Sequence, residues 1–138
     1  MTRINCIPVQ ELTTKHLVSE YREITRLPGN LSKSLSRAKP FSMSEIPAKY
    51  TLGTGHVKFF YSKFQYLQKR FENLVEEMVR RGYNPKYRDS SIFKVEEKFY
   101  QDWTPDEEAM RKNRERIKER LHESKRVNRN FTGTKSRV

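Results

Sequence analysis

The 138-residue chain sets 29 Lys and Arg against 17 Asp and Glu, a formal net charge of +12 with a sequence pI near 10.0. That length suits one domain with a modest core, and 34% hydrophobic residues with 12% aromatics exclude wholesale disorder while leaving soft ends expected. The single cysteine, Cys6, excludes intramolecular disulfides and a Cys-based zinc site, and His16, His56 and His122 lack metal-ligand spacing, so neither metal nor cofactor is expected.

No run approaches the roughly 18 apolar residues of a membrane span, and no apolar core follows the first basic residue as in a signal peptide. A cytoplasmic, nucleoid-associated protein with no membrane partner is therefore expected. The charge makes nucleic acid the leading partner and an anionic membrane surface the second, with a solubilising excess as the plain alternative.

In chain order, Pro8 can occupy the first turn of a helix but not its interior. The first helix is therefore predicted to begin between Pro8 and Thr14 and to run to about Arg26, where Pro28-Gly29-Asn30 reads as a breaker. At 100° per residue, Leu17, Tyr21 and Ile24 share an apolar face. Lys15, Ser19, Arg22 and Arg26 form a mostly cationic stripe, and His16, Glu20 and Glu23 fall between the two. Residues 31–51, with Ser32, Ser34, Ser36, Ser42 and Ser44 among Lys33, Arg37, Lys39, Pro40 and Pro47, read as a long basic loop. It is either an ordinary connection or a phosphate contact.

Gly53-Thr54-Gly55 permits close backbone approach. From about His56 to Arg81, Val57, Phe60, Phe64, Leu67, Phe71, Leu74 and Met78 recur at steps of three and four. The spacing predicts one amphipathic helix of about seven turns, closed by Gly82. Residues 83–103 interleave Tyr83, Tyr87, Phe93, Phe99, Tyr100 and Trp103 with Lys86, Arg88, Lys94 and Lys98. Such a stretch either stacks on bases or covers one side of a small core. Thr104 as N-cap, Pro105 at the first position and Glu107 closing a capping box predict a last helix bearing Arg111, Arg114, Arg116 and Arg120. From Ala109 to Val138, 11 basic residues against 3 acidic ones leave +8 of the total +12. The expectation is an all-α protein: a single domain over 1–138 of about three helices with long loops, an N-terminal segment lying against them, and a flexible basic tail from about 126.

The candidate chemistry lies at the start. Thr2 is small enough that Met1 is expected to be removed, exposing an α-amine whose reference pKa of about 7.7–8.0 leaves roughly a tenth of it nucleophilic at neutral pH. Such an amine attacks carbonyl-like carbons to give a Schiff base and needs a carboxylate nearby to move protons. The plain alternative is a frayed terminus followed by ion pairs that face water.

The start Thr2-Arg3-Ile4-Asn5, the segment Glu20-Tyr21-Arg22-Glu23-x-x-Arg26 and the run Leu52-Gly53-Thr54-Gly55-His56-Val57-Lys58-Phe59-Phe60-Tyr61 closely resemble the phage-type pyrimidine-dimer DNA glycosylase and abasic-site lyase, historically called endonuclease V. The resemblance covers roughly residues 2–26 and 49–84. It implies a repair enzyme that excises ultraviolet-induced cyclobutane dimers and nicks the strand by β-elimination, with Thr2 supplying the amine and Glu23 the carboxylate. It further implies a monomer that binds double-stranded, lesion-containing DNA through Arg3, Lys15, His16, Arg22, Arg26, His56, Arg116 and Arg120. Two features depart from the family pattern: Lys15 replaces a glutamine, and Phe131 is the only aromatic in a C-terminal tail that is aromatic-rich in the phage enzyme. A non-enzymatic basic DNA- or RNA-binding protein and a lyase or glycosylase for another lesion are the competing readings.

Overall fold

The computed structural model describes residues 4–130, with side chains through His122. Five α-helices follow one another: α1 Thr14–Ile24, α2 Leu27–Leu35, α3 His56–Phe59, α4 Phe64–Arg80 and α5 Glu107–Asn130. Single 3-10 turns punctuate the connections. Among the described residues there is no strand, only an isolated bridge between Lys63 and Tyr100, so the protein is all-α. The three expected helices are the three longest of the five.

α1 starts where the extended residue Thr13 accepts, through its side chain, the backbone N–H of His16. That bond satisfies one of the donors a helix leaves unpaired in its first turn. The helix buries Leu17, Tyr21 and Ile24 against α4, and Tyr21 stacks on Phe71 with ring centroids 5.9 Å apart.

The chain then bends at Thr25 and Arg26, but Pro28-Gly29-Asn30 does not open a loop. It lies in the first turns of α2, with Pro28 in a position that needs no N–H and with Leu27, Leu31 and Ser34 buried at helical spacing. The long basic loop is correspondingly shorter than expected and begins after Leu35.

The helix expected over 56–81 is broken. α3 gives way to a 3-10 turn over Phe60–Ser62, and Lys63 leaves helical geometry at φ −126°, ψ 39° before α4 begins. The break follows from a distant segment: Gln101 donates its N–H to Ser62 O at 3.2 Å and accepts Tyr66 N–H at 3.4 Å. The apolar spacing survives the break, because Phe64, Leu67, Phe71, Leu74 and Met78 are all buried. Each contributes on the order of 1.5–3 kcal/mol relative to exposure. At the other end, Gly82 takes φ 92°, and Tyr83 N–H and Gly82 N–H reach back to Met78 O and Val79 O. This is a Schellman closure that favours glycine at that position.

The last helix begins two residues later than predicted. Asp106 rather than Thr104 caps it, accepting Ala109 N–H at 2.7 Å through its carboxylate. Phe93 and Phe99 are buried and Trp103 packs 4.9 Å from Tyr66 and 5.1 Å from Phe59, so these aromatics cover the core; Tyr83 and Tyr87 stay exposed. Residues 131–138, most of the tail expected to be flexible, lie outside the described residues. Among those described, no helix is long and apolar enough to cross a membrane.

Before α1, residues 4–7 run through the interior, and their backbone is held by side chains from every quarter of the molecule. His56 accepts Ile4 N–H at 2.8 Å, Tyr50 donates to Ile4 O at 3.2 Å and Tyr66 donates to Asn5 O at 3.2 Å. Asn113 accepts both Cys6 N–H and Ile7 N–H, at 2.7 and 3.2 Å. Arg70 donates to Ile7 O at 2.5 Å and pairs with Glu20 through two N–H groups at 2.7 and 2.9 Å. With both side chains almost fully buried, removing the cation strands an anion in the interior. Arg70→Ala is therefore expected to destabilise the fold by about 3–5 kcal/mol. Equilibrium urea unfolding checks this, and a loss below about 1 kcal/mol would show that the pair is replaceable by water.

Candidate nucleic-acid interface

The exposed side of α1 carries the cationic stripe read from the sequence. Lys15, Arg22 and Arg26 are exposed, Arg22 two helical turns after Lys15 and Arg26 four residues further on, just past the end of the helix. Glu23 sits at the edge of that stripe, partly exposed, with Arg26 Nη1 donating to its Oε1 at 3.2 Å. Glu20, one turn earlier and on the same face by periodicity, turns inward to Arg70 instead. The two carboxylates do not form a working pair. One is structural and the other faces the interface.

His16 shares the edge with Glu23. Its Nδ1 lies 3.1 Å from Thr13 Oγ1, which also accepts the His16 backbone N–H. The threonine hydroxyl thus has its proton available for Nδ1. Burial, then the charges of Lys15 and Arg120, depress the imidazole pKa and so disfavour the imidazolium. Arg120 is exposed on α5, and its charge is one of those that lower the His16 pKa. Arg116, one turn earlier, is partly buried; its Nη1 stands 3.6 Å from Glu119, and its Nε meets no acceptor among the described residues. Arg114 forks onto Glu11 at 2.9 and 3.0 Å and fastens α5 across the N-terminal segment.

The remaining expected residues fall elsewhere. Thr2 and Arg3 lie outside the described residues. His56, expected at the DNA surface, is buried at 2% exposure, and both ring nitrogens serve the protein: Nε2 accepts Ile4 N–H and Nδ1 donates to Thr51 O, each at 2.8 Å. It is placed there by Gly55, whose φ of 87° turns the chain into α3 and where a Cβ would stand 3.1 Å from Pro47 Cγ.

Two other groups bear on amine and thiol chemistry. Burial pushes the Cys6 thiol up to about 12, which removes it as a nucleophile. Burial also lowers the Lys63 ammonium pKa, but its Nζ donates to Phe59 O at 2.9 Å and to Ser62 Oγ at 3.2 Å and lies over the Phe59 ring. Among the described residues no group of three or more His, Cys, Asp or Glu could hold a metal ion.

The residues that sequence reasoning passed over are the ones that place the chain start: Asn5, Tyr50, Tyr66, Arg70 and Asn113. Only Arg70 announced itself. It stands on the apolar stripe of α4, three residues after Leu67 and four before Leu74, where a cation requires a buried acid.

A helical protein with a row of exposed cations on one helix, joined by a second cationic helix, has the charge distribution of a polyanion-binding protein. The chain belongs to the pyrimidine dimer DNA glycosylase family, whose model matches residues 1–91. It is a DNA glycosylase by family and acts on DNA. The match takes in the N-terminal segment and α1 to α4 and stops before α5, so Arg116 and Arg120 lie beyond it.

A phosphate brought to His16 reverses the local charge balance and favours the imidazolium. In the free protein the ring's contribution to stability is present above the ordinary imidazole pKa and is lost as the pH falls through the lowered one. Should DNA place a phosphate there, binding is expected to work in the opposite sense and to take up a proton. Affinity for duplex DNA should therefore rise as the pH falls from 7.5 to 5.5, by up to roughly tenfold per unit of pKa recovered. His16→Gln should flatten that rise in fluorescence anisotropy at constant ionic strength. An equal rise in the variant would place the titrating group elsewhere.

Proposed function

We propose that the protein is a monomeric, bifunctional glycosylase and abasic-site lyase that acts on cyclobutane pyrimidine dimers in double-stranded DNA through the α-amine of Thr2, freed by removal of Met1. The observation that carries this reading is the hydrogen bond from Asn5 Nδ2 to Glu20 Oε1 at 2.8 Å. It ties the N-terminal segment to α1 one helical turn, about 5 Å, from Glu23. Thr2 is three residues from Asn5, a reach of at most about 11 Å. A stretch of that length is long enough for the amine to approach the Glu23 carboxylate, which supports assigning both groups to one site.

The chemistry that fits these groups runs as follows. The neutral amine attacks C1′ of the nucleotide carrying the 5′ pyrimidine of the dimer, and the C1′–N bond to the base breaks as the base takes the electron pair. Ring opening leaves an iminium between enzyme and sugar. A cationic intermediate of this kind is stabilised by a nearby anion, and Glu23 supplies one while accepting a proton. Loss of the C2′ proton then expels the 3′ phosphate in a β-elimination, and water releases the amine. No external oxidant or metal enters this balance.

Lys15, His16, Arg22, Arg26, Arg116 and Arg120, with Arg3 beside the amine in sequence, hold the phosphates on either side of the lesion. A dimer already weakens stacking, so bending the duplex there costs less than in intact DNA.

Glu23→Gln preserves the side chain's shape and removes its charge. It should keep affinity for irradiated duplex within about threefold and slow base release by roughly 10²–10⁴-fold, the usual weight of a positioned acid or base. Single-turnover base release and anisotropy on the same duplex make the comparison, and excision retained at the wild-type rate would remove Glu23 from the reaction. Selective blocking of the N-terminal amine should abolish base release and nicking together while leaving binding in place.

A further inference from the structure

His56 has a place in the fold that its polarity does not explain. It is one of the largest fully buried side chains, wedged edge-on between the rings of Tyr50 and Phe60 at centroid distances of 5.6 and 5.5 Å. A backbone N–H can only donate and a carbonyl can only accept, so the two bonds to Ile4 N and Thr51 O fix the tautomer: Nδ1 carries the proton and Nε2 is bare. Tyr50, packed against the same ring, donates to Ile4 O. Both polar atoms of Ile4's backbone are thus held, one by each of two side chains that themselves contact one another.

Ile4 is the first described residue and is two residues from Thr2 in sequence, a chain length of at most about 7 Å. The rest of the segment is held by Tyr66, Asn113 and Arg70, but those bonds act further from the chain start. An extended stretch without a strand partner has no ladder to set its register. Here two side chains do that at Ile4, the first described residue.

We propose that His56, assisted by Tyr50, is a positioning residue for the amine of Thr2: it sets the amine's distance to Glu23 and to the sugar and does not contact DNA. The proposal rests on the amine being the nucleophile. It assigns to His56→Phe, which keeps the ring's volume and loses the acceptor, a defect in the chemical step and not in binding. His56→Gln can return an oxygen to the position of Nε2.

The test uses the full chain and a duplex containing one abasic site. Single-turnover nicking at saturating protein gives the rate of the chemical step. Anisotropy on a duplex with a non-cleavable tetrahydrofuran abasic analogue gives affinity. His56→Phe should slow nicking by roughly 10–100-fold, the penalty of about an ångström of misplacement, with Kd changed by less than about threefold. His56→Gln should recover most of that rate. Tyr50→Phe, which keeps the ring and loses only the hydroxyl, should slow nicking by a smaller factor of about 3–10 and decides the matter should His56→Phe fail to fold.

Nicking by His56→Phe at the wild-type rate overturns the proposal, as does a rate and an affinity that fall together without recovery in His56→Gln. Wild-type protein that binds the abasic duplex and does not nick it overturns the amine reading itself. Wild-type nicking with an indifferent His56→Phe overturns the positioning role alone.

Discussion

The ion pair between Arg70 and Glu20 is the constraint on which the arrangement depends. It joins α1 to α4 across the core, and each partner spends its remaining hydrogen-bonding capacity on the N-terminal segment: Arg70 on Ile7 O, Glu20 on the Asn5 side chain. Asn5 in turn accepts from Asn113, so α5 is drawn into the same network. A buried pair of this kind contributes little net stability over a well-packed apolar equivalent, because both charges lose their water. What it adds here is uniqueness of place. A hydrophobic replacement could fill the volume but could not hold a main-chain carbonyl and a neighbouring amide in fixed register.

Two glutamates three residues apart on α1 show how burial assigns chemistry. Glu20 meets Arg70, Asn5 and no solvent, which commits it to structure. Glu23 is left at a surface that also carries Lys15, His16, Arg22 and Arg26; in the proposed mechanism the anion serves the cationic intermediate and the cations serve phosphates. A carboxylate amid cations on a DNA-binding face otherwise works against binding, which gives its presence there a reason beyond affinity. His16, whose pKa is lowered by burial and by the charges of Lys15 and Arg120, adds a titratable group at the same edge.

Much of the fold was legible because it is local. The buried face of α1, Leu17, Tyr21 and Ile24, and the stripe of α4 follow from periodicity, and the Gly82 closure follows from backbone freedom. The departures arise where distant segments decide. Pro28 read as a breaker, yet the first turn of α2 has no use for its missing N–H, and buried Leu27 and Leu31 supply the reason to resume. The kink at Lys63 depends on Gln101, far along the chain. Periodicity placed Glu20 and Glu23 on one face but held no information about Arg70, which selects between them. The resemblance implied a DNA contact for His56, yet its ring is buried and bonds the main-chain atoms of Ile4 and Thr51. The charge stripe of the interface was visible throughout, and the side chains of Tyr50, His56, Tyr66, Arg70 and Asn113 that hold residues 4–7 were not, since each acts on backbone atoms from another element.

The central claim is that the Thr2 amine carries the covalent link to DNA, and borohydride trapping tests it most directly. Protein incubated with ultraviolet-irradiated duplex and borohydride is digested, and the reduced adduct is located by mass spectrometry, with undamaged duplex as the control. The account predicts one adduct, on the nitrogen of Thr2, formed on irradiated and absent from undamaged DNA. An adduct on a lysine such as Lys63, or excision that proceeds with no trapped species while the Thr2 amine is free, would contradict it.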